Sequence, residues 1–382
     1  AGCDNLRGIF SAIADYIREC DKILFALCIA ATSFGCLAVF SATHYLQNTR
    51  QLLVQVVGML LGIVAVIVIS GFDYDNYKKI WPILAGVSLL LVGLTFFIGY
   101  APAGTDDKAW LMLPGGITFQ PSELLKVAFI ITFSIHIEYL GENMNRLRYL
   151  VPLLLHAAVP ILLIHLQGDD GSALIFAFIF LFMLFCAGLK LRYFIIFAVA
   201  VAVAAPFIYF LVMNADQQAR VLTMFNLEAD LKGAGWQQWR GRIALAGGGI
   251  FGQGYLKGAL TQTGEIPEGY NDFIITSMGE ELGLLGCVVV MLLLGAICLR
   301  IMRVGSLARE KRGKLMCVGV FAMIFSQAVI NLGMCFSLLP VIGVTLPFFS
   351  AGGTSLVCLY CGIGVVMSVY MHRNNRLMRL FE

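Results

Sequence analysis

The chain has 382 residues, 59% of them hydrophobic and 13% charged. Soluble domains carry about 25% charged residues, so a fold bathed in water on every side is excluded. A formal net charge of +3 offers no basic surface of the kind that holds nucleic acid, and no such partner is expected.

In chain order, residues 4–20 place Leu6, Ile9, Phe10, Ile13 and Ile17 at helical spacing, broken by Asp15, Arg18 and Glu19. That pattern predicts an amphipathic N-terminal segment, 1–20, on the cytoplasmic membrane surface, and not a signal peptide. Ten apolar runs follow at 23–42, 52–71, 80–100, 122–140, 149–166, 172–189, 193–213, 281–300, 315–335 and 352–371. Each is near the length of about 20 residues that crosses a bilayer as a helix. No repeat or low-complexity linker divides the chain. The expectation is a single integral membrane domain over 1–382, an all-α polytopic fold of about ten transmembrane helices. A long extracellular loop, 214–280, joins helices 7 and 8.

Lys and Arg placement sets the orientation. One side holds Arg7, Arg18, Lys22, Lys78, Lys79, Arg146, Arg148, Lys190 and Arg192. It also holds Arg300, Arg303, Arg309, Lys311, Arg312, Lys314, Arg373, Arg376 and Arg379, making 18 of 26 basic residues. Both termini are therefore expected in the cytoplasm. The long loop is too apolar for a free linker, and Ile243–Ile250 and Phe273–Ile275 are expected to dip back toward the bilayer, where irregular backbone needs cover.

Four polar stretches then fall on the outer side. The first runs through Gln120-Pro121-Ser122-Glu123 to Lys126. Pro121 and Glu123 suit a helix start, and a Glu123–Lys126 pair there should face a cavity or the interior. A plain cap with a local ion pair is the simpler reading. The second is Gln167-Gly168-Asp169-Asp170-Gly171-Ser172, a polar turn with an N-cap at its simplest. The third runs from Arg220 through three glycines, 247–249, to Glu268 and Asp272, with Glu280 and Glu281 beyond. Glycines there suit close backbone approach more than a dinucleotide. Partial desolvation would raise the pKa of Asp272 toward that of a general base; a helix cap is the alternative. The fourth enters the last helix at Ser350-Ala351-Gly352-Gly353, whose amides suit an anion or simply a packed re-entrant turn.

Most of the eleven cysteines lie in apolar runs and behave as small apolar side chains; Cys358 and Cys361 are read the same way. The five histidines are unpaired in spacing and are assigned to packing or interfaces. No motif fixes a metal.

Several motifs resemble one family. These are F-Q-P-S-E-L-L-K (119–126), Q-G-D-D-G-S-A-L (167–174), G-G-G-I-F-G-Q-G (247–254), I-P-E-G-Y-N-D-F (266–273), G-E-E-L-G (279–283) and L-P-F-F-S-A-G-G-T-S-L (346–356). In this order they are similar to the SEDS family (shape, elongation, division and sporulation), which includes RodA, FtsW and SpoVE. The resemblance spans nearly the whole chain, and Gly71-Phe72-Asp73-Tyr74 leans toward RodA. It implies a peptidoglycan glycosyltransferase of the bacterial plasma membrane. Such enzymes polymerise lipid II, the undecaprenyl-pyrophosphate-linked disaccharide peptide, at the outer face beside a class B penicillin-binding protein. The role is cell elongation and shape, or division.

The family's essential Asp falls on Asp272, and its F-Q-P-S-E-x-x-K side chains on Gln120, Ser122, Glu123 and Lys126. From the other polar stretches, Asp169, Glu268, Ser350, Gly352 and Gly353 are further candidate substrate contacts. Lys126 and Arg220, with Arg240 and Arg242 behind them, are candidates to meet the pyrophosphate, which a divalent cation (Mg or Mn) could share. The chain departs from the pattern at Ala109, at Gly168 where a proline is usual, at Asp170 where a leucine is usual, and at Arg240-Gly241, Gly269-Tyr270-Asn271 and Ala351. Two other functions fit a polar cavity among ten helices: a lipid II flippase, and a non-catalytic activator of the penicillin-binding protein.

The orientation is testable. A reporter inserted in loop 214–280 should read as external and one at the C-terminus as cytoplasmic. A cytoplasmic 214–280 would overturn both the map and the function drawn from it.

Overall fold

The computed structural model describes residues 16, 18–101, 107–114, 116–225 and 235–374. The expected surface segment at 4–20 lies outside these residues except for Tyr16 and 18–20. Among the described residues ten helices are long and apolar enough to cross a membrane. In chain order they begin with α1 (Lys22–Ala42), α2 (Arg50–Gly71) and α3 (Tyr77–Ile98). A short hairpin, β1 (Leu111–Leu113) and β2 (Ile117–Phe119), precedes α4 (Pro121–Leu140), α5 (Leu147–Leu166), α6 (Asp170–Ala187) and α7 (Leu191–Phe207). Outside the spans lie α8 (Ala215–Phe225) and α9 (Trp236–Gly248), followed by spans α10 (Ile274–Leu307), α11 (Lys311–Cys335) and α12 (Gly353–Met371).

Small residues let the spans approach, as expected where lipid gives no hydrophobic drive between helices. The Gly58-x-x-x-Gly62 face of α2 meets α12. A Cβ on Gly58 would stand 2.8 Å from the Gly353 backbone, and one on Gly62 would stand 2.6 Å from the Tyr360 ring. By contrast α7 buries no side chain against the rest of the protein. Its inner end is tied at Asn145, through the Tyr193 hydroxyl donating to the carbonyl at 2.9 Å and the Lys190 amide donating to the side chain at 2.9 Å.

The ends opposite the four polar stretches are joined by ion pairs. Asp21 caps α1 and accepts from the Arg300 guanidinium at 2.8 Å. The fully buried Arg312 pairs with Asp75, Glu138 and Glu310, and its guanidinium lies 5.5 Å from the centre of the Tyr74 ring.

The eighth span differs from the sequence expectation. It starts at Ile274 rather than 281, and the helix is broken at Gly283 (φ +70°, ψ −167°). Glu280 and Glu281 end the apolar run in sequence, but both are buried and satisfied. Glu280 accepts from the Leu260 and Thr261 amides at 2.9 and 2.8 Å and from the Thr261 hydroxyl at 2.6 Å. Glu281 accepts from the Ser41 hydroxyl at 2.5 Å and the Gln262 amide group at 2.7 Å.

Backbone freed by the break pairs with the glycine-rich segment. The Leu284 and Leu285 amides donate to the Gly249 and Ile250 carbonyls, and those of Gln253 and Gly254 donate to the Glu280 and Glu281 carbonyls. Irregular backbone at the edge of a bilayer is tolerated only when covered in this way. The stretch at 243–250 is α9 and the turn after it, packed on α10 and α11.

That contact needs glycine. A Cβ on Gly252 (φ +80°) would fall 2.1 Å from the Glu281 carbonyl oxygen, whereas one on Gly86, inside α3, meets nothing within 4 Å. Gly252→Ala should therefore destabilise by about 2–4 kcal/mol. Gly86→Ala should be neutral or stabilising by up to about 1 kcal/mol. Thermal unfolding of the two variants in detergent reads the contrast.

Candidate active site

The helices α4, α6, α10 and α12 all start on one side, and their N-termini meet. Asp272 stands two residues before α10, where the turn from Glu268 hands the chain to the helix: the Asn271 and Phe273 amides both donate to the Glu268 carbonyl. Glu268 holds φ +50° in that turn and accepts from the Asn271 side chain at 2.6 Å. Asp272 is half-buried, and among the described residues its carboxylate makes no hydrogen bond or ion pair. Burial raises its pKa to about 7, and the charges of Glu268 and Asp169 push the same way. It does not act as a side-chain cap for the helix that follows. An unpaired carboxylate poised near neutrality has the properties of a general base.

Asp169 joins the first polar stretch to the second. It caps α6 by accepting from the Ser172 amide at 2.9 Å. Its other oxygen accepts from the Gln120 amide group at 2.6 Å and the Ser122 hydroxyl at 3.5 Å. The segment 341–344 then closes against both α6 and Asp272. A Cβ on Gly171 would meet the Ile342 carbonyl at 2.5 Å, and one on Gly343 would stand 3.7 Å from the Asp272 carboxylate. Ser350 ties in the fourth stretch, donating to the Asn271 carbonyl at 2.7 Å and accepting from the Leu346 amide at 2.8 Å. The Ala351 amide donates to the Tyr270 carbonyl at 2.9 Å.

Three expected substrate contacts are engaged within the protein. The Gly352 amide donates to the Gln55 side chain at 3.1 Å. Gly353 is packed on α2, where a Cβ would stand 2.6 Å from Val54. Both glycines serve helix contact. Lys126 is fully buried and paired with Glu123 at 2.7 Å, so its charge is neutralised within the bundle and away from solvent. Glu123 in turn borders a cavity of about 20 Å³ with Gln327, Ser350 and Ser355, room for about one water.

Of the arginines, Arg220 is exposed on α8, and its guanidinium donates to the Val341 carbonyl at 3.4 Å, which places it at the rim of the segment facing Asp272. Arg240 is tied to Glu265 and lies over the Trp236 ring at 5.0 Å, so it is engaged elsewhere. Arg242 is exposed on α9. Among the described residues no three His, Cys, Asp or Glu side chains are arranged to hold a metal ion.

The histidines are paired in space although not in sequence. His136 and His156 bring their Nδ1 atoms within 3.0 Å, and His165 meets Asp170 at 2.5 Å. Sequence reading also missed Gln55 and Asn331. Gln55 donates to the Ser350 carbonyl at 3.1 Å while accepting from Gly352. Both are polar residues within apolar spans, a signal that points to the interior of a bundle.

Known proteins were compared with this geometry. The profile of the FtsW/RodA/SpoVE cell cycle protein family matches residues 21–375. A probable peptidoglycan glycosyltransferase FtsW of Geobacter metallireducens is 33% identical over 362 residues, covering 92% of this chain and 95% of its own. The peptidoglycan glycosyltransferase MrdB of Escherichia coli is 30% identical over 355 residues, covering 92% of this chain and 94% of its own. Among solved structures, a chain of a peptidoglycan synthase complex, reported for its structural coordination of polymerization and crosslinking, matches with a TM-score of 0.81. The identity is 26%, over 93% of this chain and 98% of that one. The crystal structure of the Thermus thermophilus rod shape determining protein RodA matches with a TM-score of 0.69 at 25% identity, over 93% and 98%. FtsW and MrdB match at nearly equal identity, so the lean toward RodA at Gly71–Tyr74 gains nothing from identity.

Proposed function

This chain belongs to the FtsW/RodA/SpoVE family of cell cycle proteins, and from that premise we propose that its outer pocket polymerises lipid II with Asp272 as the general base. It is a peptidoglycan glycosyltransferase and a multi-pass membrane protein. The observation that carries the choice of base is the Asp272 carboxylate: unpaired among the described residues, and raised by burial to about 7.

In the proposed reaction, the GlcNAc 4-hydroxyl of one lipid II attacks the anomeric carbon of the lipid-linked MurNAc donor. Asp272 accepts the hydroxyl proton as the new C–O bond forms. The bond to the pyrophosphate breaks and its electrons leave with undecaprenyl pyrophosphate. Attack opposite the leaving group converts the α-linked donor into a β-1,4 linkage. The departing anion is met by Arg220 at the rim and by the positive N-terminal ends of α4, α6, α10 and α12. Gln120, Ser122 and Asp169 hold the α4 and α6 ends in place, Ser350 holds the α12 end to the Asp272 turn, and Glu268 shapes that turn.

The remaining assignments rest on sequence and likeness. A class B penicillin-binding protein is the proposed partner, supported by the synthase complex that this fold matches. The plasma membrane and cytoplasmic termini are supported by the Lys and Arg distribution. Membrane lipids contact the exposed apolar faces, α7 foremost.

Asp272→Asn should lower glycan synthesis from labelled lipid II by about 10²–10⁴-fold, measured on purified protein in detergent, where flipping has no meaning. Retained turnover would remove Asp272 from the mechanism. The base must be ionised to act, so kcat/KM should rise with pH and level off above about 7. A profile flat from pH 5 to 8 would contradict a carboxylate with a raised pKa.

A further inference from the structure

The Asp272 carboxylate has no side-chain partner among the described residues, so something else must hold it in register with the rest of the pocket. The backbone does this, and a single side chain organises it. Asn331 lies on α11 and is fully buried. Its Nδ2 donates to the Asp272 carbonyl at 2.7 Å and to the Val344 carbonyl at 2.7 Å. A carboxamide nitrogen has two hydrogens, and here each has its own acceptor. The Cys335 thiol, one turn on, also donates to the Asp272 carbonyl at 3.3 Å and to Asn331 Oδ1 at 3.8 Å.

These two carbonyls belong to the two chain segments that face each other across the carboxylate. One is the turn into α10. The other is 341–344, where a Cβ on Gly343 would lie 3.7 Å from Asp272 Oδ2. The Val344 carbonyl and the Asp272 peptide are thus clamped at a spacing set by one amide group. Arg220 reaches the same segment through Val341, and Gly171 of α6 abuts it at Ile342.

We propose that Asn331 is the positioning residue of this active site, setting the gap between Asp272 and segment 341–344 in which the acceptor hydroxyl meets the base. The inference rests on the reading of Asp272 as that base. Asn331 touches no reacting atom. It fixes where Asp272 stands relative to the rim that carries Arg220. Loss of its two donors leaves the Val344 carbonyl without its partner and the Asp272 carbonyl with only the Cys335 thiol, and lets the segments part. Among the described residues the titratable groups facing Asp272 are Glu268 from its own turn, Asp169 from the start of α6 and the Cys335 thiol from α11. None is cationic, so separating the segments mainly admits water to the carboxylate.

The test uses the full chain in detergent and labelled lipid II. Asn331→Leu keeps the branched side-chain shape and removes both donors. Its kcat should fall by roughly 10–100-fold, with KM changed by less than about threefold. The acid limb of its pH profile should move down by about one unit as Asp272 gains solvent. A purely structural role lowers the folded fraction alone. In that case rates scaled to the monodisperse protein would match the unsubstituted chain, with the same pH midpoint, and the proposal would be overturned. If Asn331→Leu does not fold, Asn331→Ser, with one shorter donor, should show the same midpoint shift at a smaller loss of rate; an unmoved midpoint overturns the proposal equally. Asp272→Asn run alongside separates the two ideas. Asp272→Asn inactive with Asn331→Leu fully active rejects the positioning role only. Turnover by both rejects the base reading and this inference with it.

Discussion

A carboxylate taken out of water must gather donors or take up a proton. Nearly every shielded acid in this chain follows the first course. Asp21 has Arg300, Glu123 has Lys126, and Asp169 has Gln120 and the Ser172 amide. Glu280 and Glu281 hold the long loop, and Glu138 and Glu310 share Arg312. Asp272 has no such donors among the described residues, and burial raises its pKa to about 7. It is flanked by acids, packed against a glycine, and held only through its carbonyl. A fold that satisfies its other sheltered carboxylates and leaves this one open concentrates reactivity at one position. The site is therefore defined as much by the pairing elsewhere as by Asp272 itself.

The same constraint shapes the backbone. Breaking α10 at Gly283 releases amides and carbonyls near the membrane boundary, and segment 249–254 supplies partners for them. That pairing brings the long loop down onto the bundle. Glu280 and Glu281 then fasten it from the inside, and the turn at Glu268–Asp272 is carried to the start of the helix. The glycines of 247–254 admit this approach. Helix ends, loop and the Asp272 turn are positioned together because backbone polar groups cannot be left unsatisfied beside hydrocarbon.

The ten spans were legible because their length and apolarity are read directly from the bilayer's thickness, and each was placed to within a few residues except α10. There the two glutamates ended the apolar run in sequence, since their donors come from Ser41, Gly258, Leu260, Thr261 and Gln262, whose proximity is a tertiary fact. Asp272 and the stretches around it stood out as polar density beside apolar runs. Direction of charge did not. Lys126 looks in sequence like a cation at a helix mouth, yet it is fully sheltered with Glu123 one turn behind the pocket. Asn331 and Gln55 were invisible for the converse reason: a lone amide within a span declares that it faces protein, but not which carbonyls it holds. The pairing of His136 with His156 spans 20 residues of sequence and leaves no local trace.

The departures from the family pattern that this chain resembles show how much of the site is backbone architecture. Proline fixes φ near −65°, and Gly168 stands at φ +92°, so the turn into α6 cannot have the shape that proline would give it. A Cβ at Gly168 would also approach the Asp107 carboxylate to 2.6 Å. Asp170, where a leucine is usual, fills the altered turn with polar contacts. It meets His165 at 2.5 Å and accepts from Gln217 of α8 at 2.9 Å. That second contact draws α8, and Arg220 with it, toward the pocket rim. Asp169, between the two altered positions, still caps α6 and still receives Gln120. The turn has been rebuilt around an unchanged hub, which is the outcome expected if Asp169 must hold two helix ends together while its neighbours are free to set how the outer loop is fastened.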